Sequence, residues 1–442
     1  MQALAALTAL PDLDATAIAA IGLTGQCPTI APFDRSREPV GPGLLYRDNR
    51  ATAEADEMRA RLGDEALHAR TGHIASAFHV GPKVLWLREH DPRTFAAADR
   101  FMQPRDVVLH SLTGVTATDE THANSTLFFD LRARAWAEDL LDAYSLSAGL
   151  FPKVAPAWSQ IGEVVDGAAH QTGLPAGCPV VIGAADSQCA AYGSDVVSPG
   201  PISEMSGASS CLNSVLHEPS EDLRITHYSY LLPGVYCTEL GVNVSGAALQ
   251  WALSQFGFES FAELNARAMG PRRELGAQRA EDPREVAPLF LPYLGDGERD
   301  DPTLRAAFIG LSDRHGRDEL AYAVLEGVAF AVAETVSVLR VSSPLHELRV
   351  GGGGARLTML GQIKADALGV AVKHLRHDSA PVGAALLAAR QTGFADEARA
   401  GLRANLEQAA CFEPDAAAAA AVRERYSWFL EVRASQAVRL QS

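Results

Sequence analysis

Apolar and polar positions along this chain fall into short blocks whose period changes many times. Residues 15–24 are largely apolar and read as a buried strand, and Phe33-Asp34 with Pro39-Val40 reads as a hairpin. Residues 53–62 read as a polar helix, and 80–89 as an amphipathic helix stopped by Pro92. Residues 104–112 carry helical spacing and end at Gly114, and 136–146 read as a further helix. The run 179–185 is continuously apolar between Pro and Asp, as expected of a strand buried on both faces. Ser198-Pro199-Gly200-Pro201 breaks the pattern and marks the expected boundary between domains 1–198 and 199–442. Beyond it, strands are expected at 201–206, 211–216, 227–232 and 236–241, and helices at 246–256, 259–269, 317–341 and 357–368. A strand at 370–372, a helix at 383–392 and an Ala-rich helical stretch at 416–422 complete the pattern. Strand–turn–helix units in both halves predict two α/β domains with a cleft between them.

Composition narrows the function classes. The chain has 442 residues, 47% hydrophobic and 21% charged, enough for two ordinary globular domains. Its net charge of −16 argues against nucleic acid or an anionic membrane as the main partner. Six scattered cysteines without a CxxC pair fit a reducing cytoplasm, and the thirteen histidines show no HExxH-type metal spacing. No apolar run reads as long enough to span a bilayer, and the start lacks a signal-peptide pattern.

Three stretches carry the candidate chemistry. Leu345–Val350 reads as a strand, Gly351-Gly352-Gly353-Gly354-Ala355 as a turn, and Met359–Gly369 as a helix. Such a turn puts bare backbone against a flat or anionic ligand at a helix N-terminus. Ser206-Gly207-Ala208-Ser209-Ser210 is a small-residue turn that either cradles phosphate through backbone N–H groups or is a plain β-turn. Pro179–Asp186 ends an apolar strand on a carboxylate. Asp186 either caps the following helix or serves as a base where ligands gather, at the carboxyl ends of strands.

These stretches, in this order, resemble the FGGY family of carbohydrate kinases. Gly25-Gln26, Arg47-Asp48-Asn49-Arg50, Pro82–Leu87, Leu112-Thr113-Gly114, Gly246–Trp251, Gly297–Asp300 and Val324–Phe330 extend the resemblance over nearly the whole chain. The resemblance implies two RNase H-like domains of the actin and hexokinase type, and ATP-dependent phosphorylation of a sugar or polyol of pentulose or hexulose type. It implies Asp186 as the general base, and Mg²⁺ with ATP against Gly207, Ala208, Ser209, Gly246, Gln250, Gly353, Gly354 and Leu357. Gln26, Cys27, Pro28, Phe78 and Asp186 are the implied substrate contacts, with Asp48 and Arg50 lining or bracing the site. For Arg50 a structural ion pair is an equal alternative, and for Glu298 and Arg299 a structural role is expected. Kinases of this family are often dimers, so the resemblance allows a homodimer.

This sequence also departs from the family's pattern. Ala208 stands where a threonine is usual, leaving Ser209 or Ser210 to supply a hydroxyl, and Leu357 stands where a small polar residue is usual. Cys27-Pro28 replaces the Met-His of xylulose kinases and the Arg-Glu of glycerol kinases, a neutral loop that suits a neutral ketose or polyol better than an acid. Family members open with an Asp-x-Gly-Thr strand whose acid helps hold Mg²⁺, and no such motif precedes residue 30. The first domain is therefore expected to be incomplete, with open sheet edges and lowered stability. The alternative function is a degenerate kinase-fold protein that binds sugar or nucleotide without turnover.

Overall fold

The computed structural model describes residues 1–277, 282–295, 297–298, 301–340 and 344–441; Arg299 and Asp300 lie outside the described residues. The chain divides into two units, neither of them contiguous in sequence. Unit 1 comprises Met1–Asp195, Leu216–Thr238 and Ala380–Leu402, and unit 2 comprises Val196–Val215, Glu239–Ser379 and Arg403–Ser442. The first break falls just ahead of the Pro/Gly cluster, but the second half of the chain twice returns to unit 1. Close backbone approach explains both returns. His227 N–H donates to Gly72 O, and a Cβ on Gly72 would lie 2.4 Å from His227 O. The helix expected at 383–392 forms at Ser379–Ala389, and a Cβ on its Gly383 would lie 1.9 Å from Cys189 O, so only glycine lets it come so near.

Unit 1 is built on a three-stranded sheet. Its labelled elements are β1 (Ile21–Gly25), α1 (Val80–His90), α2 (Pro104–Thr113), β2 (Ala117–Asp119), α3 (Glu120–Asn124), β3 (Gln160–Glu163), β4 (Pro179–Ala185) and α4 (Asp186–Gly193). β4 lies centrally, parallel to β1 and antiparallel to β3. Val180, Val181, Ile182, Ala184 and Ala185 are all at most 1% exposed, which is why that run is apolar without alternation. α2 is capped at both ends. Asp106 Oδ2 accepts the Gln103 N–H at 3.0 Å, and Gly114 closes the helix at φ +72°. β1 is the end strand of its sheet, and an apolar groove of about 480 Å³ runs beside it, lined by Ile18, Gly22, Leu23, Ala384 and Ala388 among others.

In unit 2 the labelled elements are β5 (Pro201–Ser206), β6 (Ser210–Leu216, whose last residue belongs to unit 1), α5 (Gly246–Phe256), α6 (Arg317–Leu339), β7 (Glu347–Gly352), α7 (Thr358–Leu368) and β8 (Ala371–His374). Strands run in the order β6-β5-β7-β8, with β5, β7 and β8 mutually parallel. Against the sequence reading, α6 is long and apolar enough by composition to cross a membrane. Its residues Ala321–Ala333 are buried in the protein, the look of a core helix that is apolar all round.

Most expected elements form within a residue or two of their limits. The helix expected at 136–146 shrinks to Glu138–Ala143, because Ala135–Trp136 pairs as a strand with Phe129–Asp130. The strand expected at 15–24 opens instead with a 3-10 turn at Ala15–Ala17, capped by Asp14, before β1 begins. The expected helix 259–269 becomes Phe261–Arg267, followed by a second helix at Met269–Gly276.

Candidate active site

In unit 1 the candidate residues lie at the carboxyl ends of β1 and β4. Gly25 pairs with Ala185 across these parallel strands, so Gln26 and Asp186 leave the sheet side by side. Gln26 is exposed, Cys27 and Asp186 are half-buried, and Pro28 is buried. Asp186 opens α4 after the N-cap Ala185, and its Oδ1 accepts the N–H of Ser187 at 2.9 Å. A carboxylate at a helix N-terminus is favoured in its charged form, the form a base needs.

A second loop of unit 1 carries aromatic surface. Phe78 packs edge-on to Tyr46 with centroids 6.2 Å apart, and Arg47 lies over the Tyr46 ring. Lys83, on α1, turns its ammonium inward onto the carbonyls of Ala77, Phe78 and His79, and so fixes the loop that presents Phe78. Burial pushes the Lys83 ammonium down to about 8, against the pull of Asp48. Asp48 forms an ion pair with Arg50 at 2.8 Å, and Arg50 also lies over the Trp86 ring, so Arg50 takes the bracing role. Tyr46 was not singled out from the sequence; its signal is the aromatic residue directly before Arg47-Asp48.

Unit 2 carries a separate group of candidate residues, at the carboxyl ends of β5 and β7. Ser206 pairs with Gly352 across these parallel strands and with Ser210 across the turn to β6. Gly207, Ala208 and Ser209 are exposed at that turn. Gly246 N–H and Ala247 N–H donate to Gly207 O and Ala208 O, both at 3.0 Å, so the start of α5 grips the turn from behind. A Cβ on Gly246 would lie 2.4 Å from Gly207 O, and one on Gly354 would lie 2.2 Å from Ser206 Oγ. These glycines bring the turn, the glycine run and α5 together. Gln250 is exposed one turn along α5, Gly353 is exposed, and Leu357 is buried.

Of the two serines that could replace the missing threonine, Ser210 has its hydroxyl committed. It donates to Glu204 Oε1 at 2.9 Å and lies 2.9 Å from Ser245 Oγ. Ser209 is the exposed one. Beneath the turn, Lys364 of α7 holds both oxygens of Glu204 at 2.6 and 2.7 Å, each residue fully buried. Glu298 is structural: its carboxylate accepts Asn243 N–H at 2.9 Å and braces the segment entering α5.

Among the described residues, one group of three carboxylate and imidazole side chains could gather a metal ion: Glu54, Glu89 and His90. None of them belongs to the turns above. The Ser206–Ser210 turn itself carries no carboxylate.

Comparisons with known proteins identify the family of both parts of the chain. Residues 1–193 match the N-terminal domain of the FGGY family of carbohydrate kinases, and residues 204–392 match its C-terminal domain. Xylulose kinase of Bacillus subtilis is 28% identical over 427 residues, covering 94% of this chain and 83% of that protein. Glycerol kinase of Bordetella parapertussis is 32% identical over 398 residues, covering 85% of this chain and 75% of that protein. The crystal structure of xylulose kinase from Rhodospirillum rubrum superposes with a TM-score of 0.86 at 28% identity, covering 99% of this chain and 88% of that one. Two α/β units, a carboxylate at the β1/β4 edge and a glycine-rich backbone at the β5/β7 edge thus accompany matches to both family domains, and the chain belongs to the FGGY family of carbohydrate kinases.

Proposed function

We propose that this protein transfers the γ-phosphoryl group of ATP to a hydroxyl of a neutral sugar or polyol, of pentulose or hexulose type, with Asp186 as general base. The observation that carries the reading is the Gly25–Ala185 pairing, which brings the neutral Gln26-Cys27 loop and a carboxylate to one sheet edge. Relatives named xylulose kinase and glycerol kinase support the substrate class. The neutral loop, and an Arg50 already tied to Asp48, favour an uncharged substrate.

In this mechanism the sugar stacks an apolar face on Phe78 and Tyr46 and offers a hydroxyl to Asp186. The hydroxyl proton passes to the carboxylate as the oxygen–phosphorus bond forms, and the bond from the γ-phosphorus to the bridging oxygen breaks to release ADP. Gly207, Ala208 and Ser209 hold the phosphates through backbone N–H groups, and Gly353 and Gly354 leave room for the adenosine. ATP enters as its Mg²⁺ complex, and no step runs through a metal held by the turn, which offers no carboxylate ligand. Six cysteines without disulfides fit a cytoplasmic enzyme.

One observation favours a second reading, nucleotide binding without turnover. Ala208 offers no hydroxyl, and Ser210 spends its own on Glu204. The deciding experiment measures ADP release with Mg·ATP against a panel of ketoses, polyols and sugar acids. It uses this chain, its Asp186→Asn variant and a version extended upstream in its reading frame. Sugar-dependent ADP release lost in Asp186→Asn supports the kinase reading, and the active sugar names the substrate. ATP bound without release in the parent and the extended chain selects the second.

A further inference from the structure

A buried polar network lies directly behind Asp186. Asp119, at the end of β2, is fully buried and has two donors on each oxygen. Thr121 N–H and Oγ1 donate to Oδ2 at 2.7 and 2.6 Å, while Arg105 and His122 Nδ1 donate to Oδ1 at 2.8 and 2.5 Å. Burial works to raise the Asp119 pKa, and the His122 and Arg105 charges outweigh it, holding the carboxyl at about 2.

The network reaches β4 at two points. Thr121 Oγ1 accepts the backbone N–H of Ala185 at 2.9 Å, one residue before Asp186. Arg105, from α2, donates to Ile182 O at 3.0 Å. Between these points β4 is irregular. The pairing of β1 with β4 shifts register between Gly22 and Thr24. Gly183 sits at φ +69°, where a Cβ would fall 1.6 Å from Leu23 O. A bulge leaves backbone groups that the neighbouring strand does not pair, and buried ones must find partners elsewhere. Here side chains take over, at the place where β4 delivers its last residue to the site. A buried charged cluster is no better for stability than packed apolar side chains of the same volume. Its position against a bulged strand end points to a role in geometry.

We propose that Thr121, Asp119 and Arg105 are positioning residues for Asp186. They fix the end of β4 so that the carboxylate meets the attacking hydroxyl at bonding distance. The proposal rests on the reading of Asp186 as the base. A displacement of about 1 Å at a reacting group can cost ~100-fold in rate, so a hydroxyl one residue behind the base can control turnover without touching substrate.

The test compares Thr121→Val, Thr121→Ser and Asp186→Asn with the parent, in steady-state kinetics and in amide hydrogen exchange at Ala185. In Thr121→Val, kcat is expected to fall about ten- to a hundredfold, with KM for sugar and for ATP within about threefold of the parent. The Ala185 amide should exchange faster in that variant, and Thr121→Ser should restore both quantities. If valine prevents cooperative melting, Thr121→Ala deletes the hydroxyl, together with the γ-methyl, and adds nothing in its place. Parent-like kcat in a folded variant lacking the hydroxyl overturns the proposal, as does equal loss in Thr121→Ser. Full turnover in Asp186→Asn, or none in the parent and the extended chain alike, overturns the underlying reading and the proposal with it. The exchange data still report whether Thr121 holds β4, so the two failures are told apart.

Discussion

Two sheet edges carry the candidate chemistry, and they are built in opposite ways. At the β1/β4 edge the proposed active element is one side chain, the Asp186 carboxylate, and the backbone before it is held by buried polar and charged groups. At the β5/β7 edge the active element is the backbone itself, exposed at Gly207–Ser209, and glycines allow its neighbours to approach it. The first edge should therefore lose chemistry without losing shape. The second should lose shape and ligand affinity together, because its geometry and its chemistry are the same atoms.

The sharpest way to test that contrast is Asp186→Asn. It keeps size and helix position, so the melting temperature should stay close to the parent's. kcat should fall by about 10²–10⁴, the range for removal of a positioned base. A fall in kcat matched by a large loss of stability would make Asp186 a structural cap and remove the contrast.

Lys364→Met probes the support of the other edge. It strands the buried Glu204 carboxylate without its cation, and breaking such a pair costs about 3–5 kcal/mol. Denaturant unfolding should register that loss, and adding Glu204→Gln should recover part of it. A single variant as stable as the parent would show that Ser210 and solvent satisfy Glu204 unaided.

Gly246→Val goes to the turn directly. Its Cβ would meet Gly207 O at 2.4 Å, a backbone atom that cannot swing aside. Overpacking of this kind costs about 1–3 kcal/mol. KM for ATP should rise while KM for the sugar stays near the parent's, since the proposed sugar contacts lie at the β1/β4 edge. Unchanged nucleotide binding would detach α5 from the phosphate turn.

Much of this architecture was legible in sequence, and the parts that were not share a cause. β5 and α5 form at their expected residues, Pro201–Ser206 and Gly246–Phe256, because each is a local pattern bounded by turn residues. The returns of Leu216–Thr238 and Ala380–Leu402 to unit 1 leave no local trace, since Gly72 and Gly383 read as ordinary glycines until their distant partners are known. Asp186 stood out because a carboxylate ends an apolar strand. Asp119, Thr121 and His122 did not, because they sit in a polar stretch where burial cannot be inferred. Their only local signal is Asp-x-Thr, a helix-cap pattern that says nothing of Ala185, 64 positions away. Lys83 was visible only as part of a family match, and its contacts with three carbonyls depend on the loop folding back over α1.

The smallest expected effect tests how tightly the first edge is sealed. Glu120 adjoins Asp119 and pairs with Arg134 at 3.1 Å. Burial raises its carboxyl to about 7, against the Arg134 charge and with help from Asp119. The folded state thus binds a proton that the unfolded chain, with its ordinary carboxyl, releases at lower pH. Between about 4.5 and 7 the folded state holds this extra proton, so the contribution of Glu120 to stability falls as pH rises through that window. Glu120→Gln removes this titration, and its melting temperature should decline less steeply than the parent's from pH 5 to about pH 7.5. Parallel slopes would mean that water reaches Glu120 and that the wall behind Asp119 is open. The base would then sit against a softer support than the dry, charge-braced one its hydrogen bonds describe.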